Sequence, residues 1–290
     1  MKFVISSTEL LSHLSAISRV ISSKSTMPIL DNFLFNIAGN ELVITASDLE
    51  TTLITNIELD NIEGEGIIAV PAKLITDTLK EFPEQPLTFQ INSDNFGIEI
   101  FSDNGKFSIV GQSGEDYPEL PIVDKESTTS VRLSQKVLCK GIEKTLFATA
   151  DDELRPVMNG IFIELTGQYT SFVASDAHKL VRYRRSDAVS EYDSSFILPK
   201  KPAGLLRNLL PKQEDDIMLE FDEKNAIFTL TQFKVICRLV EGNYPSYSSV
   251  IPADNPNKMV IDRQAFHNTV KRVSVYSNQA SNLIKFSIND

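Results

Sequence analysis

The chain has 290 residues, 42% hydrophobic and 23% charged, enough apolar material for two or three cored domains. Only two cysteines, Cys139 and Cys237, are present, which excludes a disulfide scaffold, and no apolar run reaches the ~18–20 residues of a membrane span. The net charge of −11, taken alone, argues against a nucleic-acid partner.

Met1–Ser6 turns polar at once, unlike a signal peptide, so the expected location is cytoplasmic. Ser7–Ile21 sets Leu10, Leu14, Ile17 and Ile21 on one stripe at helical spacing and predicts an amphipathic helix. Strands are predicted over Asn32–Ala38, Glu41–Ala46, Thr52–Leu59 and Ile67–Val70, with Gly39-Asn40 as a turn. Pro71 lacks an N–H that a first helical turn does not need, and it opens a helix that Pro83 stops. Three strands follow, Leu87–Ile91, Phe96–Phe101 and Lys106–Val110. Further helices are predicted over Ser134–Phe147 and Lys201–Leu210. Further strands are predicted over Gly160–Leu165, Ser171–Ala174, Phe196–Leu198, Ile217–Phe221, Ala226–Thr231 and Lys234–Val240. Tyr117-Pro118 and Tyr244-Pro245 read as turns, and 121–129 and 252–257 as linkers. A last helix carries Phe266, Val270 and Val273, and Ser281–Ile288 reads as a strand. Helices beside many short strands imply an α+β architecture.

The element order recurs because the sequence repeats itself. At an offset of 128, Pro28, Pro71 and Pro83 fall on Pro156, Pro199 and Pro211, and Ala46-Ser47-Asp48 falls on Ala174-Ser175-Asp176. Ser6, Leu10 and Lys73 fall on Ser134, Leu138 and Lys201 in the same register. A period this long is a whole domain. The expected domains are 1–123, 129–253 and the start of a third at 257–290. The period calls for roughly 85–95 further residues to complete that third copy. The chain therefore reads as truncated at its C-terminal end.

Charge follows the elements. The five predicted helices with their flanks hold 14 basic and 5 acidic residues, and the rest of the chain holds 14 basic and 34 acidic. Lys136, Lys140 and Lys144 share one helix face, opposite Leu138, Ile142 and Leu146. Lys200 and Lys201 stand at a helix N-terminus, which favours phosphate over cations. Basic helices in an acidic protein point to a duplex phosphate backbone, contacted without regard to base. No helix-turn-helix, zinc finger or RNA-recognition signature is present. The expectation is one concave surface shared by Lys24, Lys136, Lys140, Lys200 and Lys201.

No Walker loop, Gly-x-Gly-x-x-Gly, His-Glu-x-x-His or Gly-x-Ser-x-Gly is found, and no catalytic residue, metal or cofactor is implied. Ser175-Asp176-Ala177-His178 resembles parts of a hydrolase only superficially. Ser47-Asp48-Leu49-Glu50 occupies the same place in the other copy, so Ser-Asp reads as a shared turn whose aspartate bonds backbone N–H groups.

Lys24-Ser25-Thr26-Met27-Pro28-Ile29-Leu30-Asp31-Asn32, Thr45-Ala46-Ser47-Asp48-Leu49-Glu50 and Val70-Pro71-Ala72-Lys73 resemble the first domain of the bacterial DNA sliding clamp, the beta subunit of DNA polymerase III. Met158-Asn159-Gly160, Ala174-Ser175-Asp176-Ala177-His178-Lys179-Leu180, Leu198-Pro199-Lys200-Lys201 and Tyr244-Pro245-Ser246-Tyr247 resemble its second domain. The resemblance implies tandem clamp domains with helices on an inner face and antiparallel sheets outside. It implies a head-to-tail homodimeric ring in the full-length form, one that encircles duplex DNA and tethers the polymerase III catalytic subunit. A clamp loader opens such a ring, and the clamp itself is no enzyme. Family DNA-contact positions map onto Lys24, Lys73, Lys200 and Lys201, with Lys80 and Arg155 as further candidates. The family pocket for short peptides of polymerases, the loader and repair proteins maps onto Met158, Ser175, Ala177, His178, Leu180, Pro245, Ser249 and Val250. Ser249 and Lys179 stand where many relatives carry arginine. The alternative reading is a regulatory module that binds such peptides without encircling DNA.

Overall fold

Alternating apolar residues set the first strands. β1 (Lys2–Ser6) buries Phe3 and Ile5 and runs straight into α1 (Ser7–Ile17), which buries Leu10, His13, Leu14 and Ile17. The helix ends earlier than its apolar stripe predicts, and Ser18–Val20 tightens into a 3-10 turn. There the Ser18 hydroxyl donates to the Ser15 carbonyl at 3.1 Å and competes with the helical ladder. This computed structural model describes residues 1–22, 27–121, 128–256, 258–278 and 281–287.

β2 (Asn32–Ala38), β3 (Glu41–Ser47) and β4 (Thr51–Glu58) form an antiparallel meander that turns Phe33, Phe35, Ile37, Leu42 and Ile44 into the core. After β5 (Ile62–Glu63) and β6 (Gly66–Pro71), Pro71 takes the cap position of α2 (Ala72–Lys80). β7 (Pro86–Ile91), β8 (Gly97–Ser102), β9 (Gly105–Val110) and β10 (Gln112–Ser113) complete the copy. The second copy repeats this plan through β11 (Thr129–Leu133), α3 (Gln135–Thr145), β12 (Gly160–Leu165), β13 (Thr170–Ser175) and β14 (Leu180–Arg185). It continues with β15 (Ser194–Pro199), α4 (Lys200–Leu209), β16 (Ile217–Phe221), β17 (Asn225–Thr229) and β18 (Phe233–Arg238).

Topology makes the duplication explicit. The first copy pairs its strands β1-β7-β8-β9 and β6-β2-β3-β4, and the second pairs β11-β16-β17-β18 and β15-β12-β13-β14. β4 of the first copy then pairs with β18 of the second, in register from Thr51↔Cys237 to Thr55↔Phe233. Two half-sheets thereby fuse into one nine-stranded antiparallel sheet, β10-β6-β2-β3-β4-β18-β17-β16-β11. Helices α1 and α2 pack side by side, as do α3 and α4. Buried residues of both copies form one continuous apolar cluster.

A tie across the seam sits beneath that pairing. Thr55 donates its hydroxyl proton to the Gln232 carbonyl at 2.9 Å, so its oxygen accepts from His13 Nδ1. His13 on α1 packs its ring on Phe233, with centroids 5.7 Å apart. The repeated Tyr-Pro turns share a further device: the buried hydroxyls of Tyr117 and Tyr244 lie against the backbones of Ser47 and Ser175 without a full hydrogen bond. Burial pushes both phenols up to about 12.

The chain divides into a unit of Met1–Pro245, which holds both copies, and a unit of Ser246–Asp290. The smaller unit holds a 3-10 turn, Tyr247–Val250, and α5 (Arg263–Ser274), capped by the Asp262 carboxylate, which accepts from the Ala265 amide at 2.7 Å. It buries none of its described residues. Phe266 meets Phe286 at 5.4 Å, and Val273 and Phe286 remain exposed. The strand expected over Ser281–Ile288 is corrected: the described part, 281–287, has no regular pairing. Among the described residues no neighbouring strand satisfies its backbone, and a lone strand is not stable in water. The linker residues 122–127 and Asn257, and Ile288 at the end of the expected strand, lie outside the described residues.

Candidate nucleic-acid interface

The helices present their charge outward. α3 buries Val137, Leu138, Cys139, Gly141 and Ile142. That leaves Lys136, Lys140, Glu143 and Lys144 exposed on the opposite face. Glu143 pairs with Lys140 at 2.8 Å, and this bond holds its carboxyl below the usual carboxylate range. Lys136 and Lys144 have no ion pair among the described residues. Gly141 lets this helix sit close to the sheet, because a Cβ there would stand 2.5 Å from the Phe172 ring.

Each expected DNA contact has a defined environment, except Lys24, which lies outside the described residues. Lys73 is exposed on α2 and has no ion pair among the described residues. Lys80 pairs with Asp77 at 2.9 Å. Arg155 pairs with Asp152 at 2.7 Å. Lys200 pairs with Asp151, and Lys201 reaches across to the first copy, where it bonds Asp48 and the Val20 carbonyl. The end of α1 thus abuts α4. Between them Ala16 and Arg19 of the first copy line a small cleft with Leu205, Asn208, Leu209 and Lys212 of the second. Arg19 and Lys212 were visible in sequence only as members of basic helices; their meeting is a tertiary fact.

The basic charge is uneven between the copies. In sequence, 134–147 and 200–212 hold seven basic residues against Glu143, whereas 6–24 and 71–82 hold four basic and three acidic. The exposed face of α1 is Thr8, Glu9, Ser12 and Ser15, with no basic residue. Strand β14 qualifies the picture of acidic strands, since it carries Arg182, Arg184 and Arg185, with Arg184 3.7 Å from the centre of the Tyr169 ring.

The expected peptide site is partly assembled. Ser175, Ala177, His178 and Leu180 share the β13–β14 turn. Ser175 donates to the Lys179 carbonyl at 2.9 Å and accepts from the Ala177 amide at 3.2 Å. Ala177 sits at φ +72°, the left-handed region, as Leu49 does at +77° in the duplicate turn. Asp176 Oδ1 accepts from the His178 and Lys179 amides at 3.0 and 2.9 Å, and Asp48 does the same for Glu50 and Thr51, as the shared-turn reading expects. A bond to Lys179 Nζ holds the Asp176 carboxyl well below the usual range. Tyr244 stacks on Phe162 at 4.9 Å and faces Ser175, which brings the exposed Pro245 toward this turn. Met158 is buried at the end of the 3-10 turn Pro156–Met158. Ser249 and Val250 belong to the smaller unit; Ser249 donates to the Ser246 carbonyl at 2.7 Å, and Val250 is 67% exposed.

Two family descriptions match in tandem: the DNA polymerase III beta subunit N-terminal domain over residues 1–121, and its central domain over 132–246. The chain belongs to the DNA polymerase III beta subunit, or sliding-clamp, family. The beta sliding clamp of Synechocystis sp. is 29% identical over 309 residues, covering 99% of this chain and 78% of that protein. The beta sliding clamp of Staphylococcus aureus strain Mu50 is 28% identical, covering 100% and 78%. The solved clamp of Pseudomonas aeruginosa bound to griselimycin superposes with a TM-score of 0.89 at 26% identity, covering 97% of this chain and 76% of that one. The Thermotoga maritima beta subunit superposes at 0.83 with 28% identity, covering 94% and 74%. Duplicated half-sheets joined through β4 and β18 are thus the sliding-clamp fold. No helix of the described residues is long and apolar enough to cross a membrane.

Proposed function

We propose that this clamp-family chain is the DNA-facing body of a processivity factor, a ring that encircles duplex DNA and tethers the replicative polymerase while sliding without regard to sequence. The observation that carries this reading is the β4–β18 seam. β14 corresponds to β4 and β9 to β18, and among the described residues both are open edges. Repeating the seam at those edges adds further copies head to tail, and such heterologous contacts close into a ring when the rotation allows. The ring is read as a homodimer in the full-length form, with clamp domains at 1–123 and 129–253 and the start of a third at 257–290, working in the cytoplasm. Lys73 and Lys80 on α2, Lys200 on α4, and Lys24 and Arg155 meet phosphate, whereas Lys201, the sixth candidate, is tied to Asp48 and the Val20 carbonyl. Met158, Ser175, Ala177, His178, Leu180, Pro245, Ser249 and Val250 receive a short, partly apolar peptide from the polymerase, the clamp loader or repair proteins. The Ser175 hydroxyl is spent within its own turn, which favours binding over catalysis there.

A protein comprising three complete copies is expected to sediment as a tight dimer and to stay on nicked circular DNA, leaving once the circle is linearised. Release at equal rates from circle and line sinks the ring reading. A monomer that still binds polymerase peptides establishes the regulatory module instead.

A further inference from the structure

The Asp48 turn is held twice by the second copy. Asp48 Oδ1 is spent on its own loop, accepting from the Glu50 and Thr51 amides. Its Oδ2 accepts from Lys201 Nζ, which lies in the first turn of α4. Nζ also donates to the carbonyl of the buried Val20 at 2.7 Å. On the other side of the turn, the Arg238 amide at the end of β18 donates to the Glu50 carbonyl at 2.8 Å. The duplicate turn repeats the Oδ1 bonds, but Asp176 Oδ2 accepts from Lys179 of its own loop. Both copies therefore build the same acceptor, and only in the first does the donor cross between copies.

A lysine in the first turn of a helix opposes the macrodipole, and a carboxylate there offsets that cost. The Asp48 side chain is only 13% exposed, so solvent screens this pair less than the exposed pairs nearby. Two of the three Lys201 protons are committed and its charge is matched, whereas Lys73, Lys136 and Lys144 have no ion pair among the described residues.

We infer that Lys201 is a positioning residue that sets the angle between the first and second copies across the β4–β18 seam, and is not a phosphate contact. The assignment rests on the proposed DNA-facing surface only for the DNA arm of its test. Spin labels at Ser93→Cys and Gln168→Cys, one on each copy of the full chain, report the inter-copy distance. Lys201→Met and Asp48→Asn broaden or shift that distribution, and Lys201→Arg, which keeps two donors, restores it. In duplex binding measured against salt, Lys201→Met leaves the slope unchanged, while Lys73→Met lowers it by about 0.9, the value of one phosphate no longer neutralised. An unaltered distance distribution in both Lys201→Met and Asp48→Asn overturns the assignment, as does a reduced slope in Lys201→Met. If Lys73→Met leaves the slope unchanged, the DNA-facing reading fails, and the distances alone then decide the role of Lys201.

Discussion

His13 carries a proton on Nδ1, because the Thr55 hydroxyl has given its own to Gln232 and can only accept from the ring. Charging the imidazole places a second proton on Nε2 of a buried ring. Burial therefore pulls its pKa below 6.5, and Glu9 offsets part of the shift. With the folded value depressed, this contribution to stability is fully present above pH 6.5 and is lost as pH falls from there through the folded pKa. Between pH 7.5 and pH 5, the urea midpoint of the wild type should fall further than that of His13→Gln; equal drops would show that His13 does not couple to folding. Leu49, at φ +77° and 46% exposed, bears the left-handed strain that glycine avoids. Leu49→Gly is expected to raise stability by about 0.5–1 kcal/mol after the added entropy of the unfolded glycine, and a lower urea midpoint would refute it. The Ser-Asp turn was legible in the sequence because its short polar side chains bond their own backbone. The proton placement on His13 was not, since it depends on Gln232, far along the chain.

In α3, propensity and packing disagree. Alanine favours a helix interior over glycine by about 1 kcal/mol, yet a methyl at Gly141 would meet the Phe172 ring at 2.5 Å. Overpacking should win, and Gly141→Ala is expected to destabilise by about 1–3 kcal/mol in urea unfolding. A gain in stability would mean the ring moves aside freely. The outward lysines of the same helix make a separate forecast. Replacing Lys136, Lys140 and Lys144 with Gln should lower the salt slope of duplex binding by up to about 0.9 for each phosphate left without its lysine; an unchanged slope would remove α3 from the interface. The α3 stripe could be read directly, since apolar and cationic residues alternate at helical spacing. β14 escaped notice because Arg182, Tyr183, Arg184 and Arg185 look like a polar loop until Phe172 and Val173 are found beside them. Over its described part, 281–287, the strand expected at Ser281–Ile288 did not form for the complementary reason: among the described residues its apolar side chains have no partner strand.

Across the whole molecule, the charge split announced a basic helical layer, while the link between the copies stayed hidden. Nothing local marks Thr55 as the partner of Phe233, or Asp48 as the partner of Lys201, because each pairing spans more than 150 positions. Shared core and shared sheet predict that residues 1–245 melt together. Calorimetry of that span should give one transition with matching calorimetric and van't Hoff enthalpies, and two resolved peaks would show that the copies unfold separately. The direction of the seam also has a mechanical consequence. Pulling the copies apart along β4 and β18 loads five facing residue pairs in shear, so they must yield together rather than unzip one at a time. This body is therefore stiff at its waist, and compliance is left to its unpaired strand edges, where a force applied to the assembled molecule would first be felt.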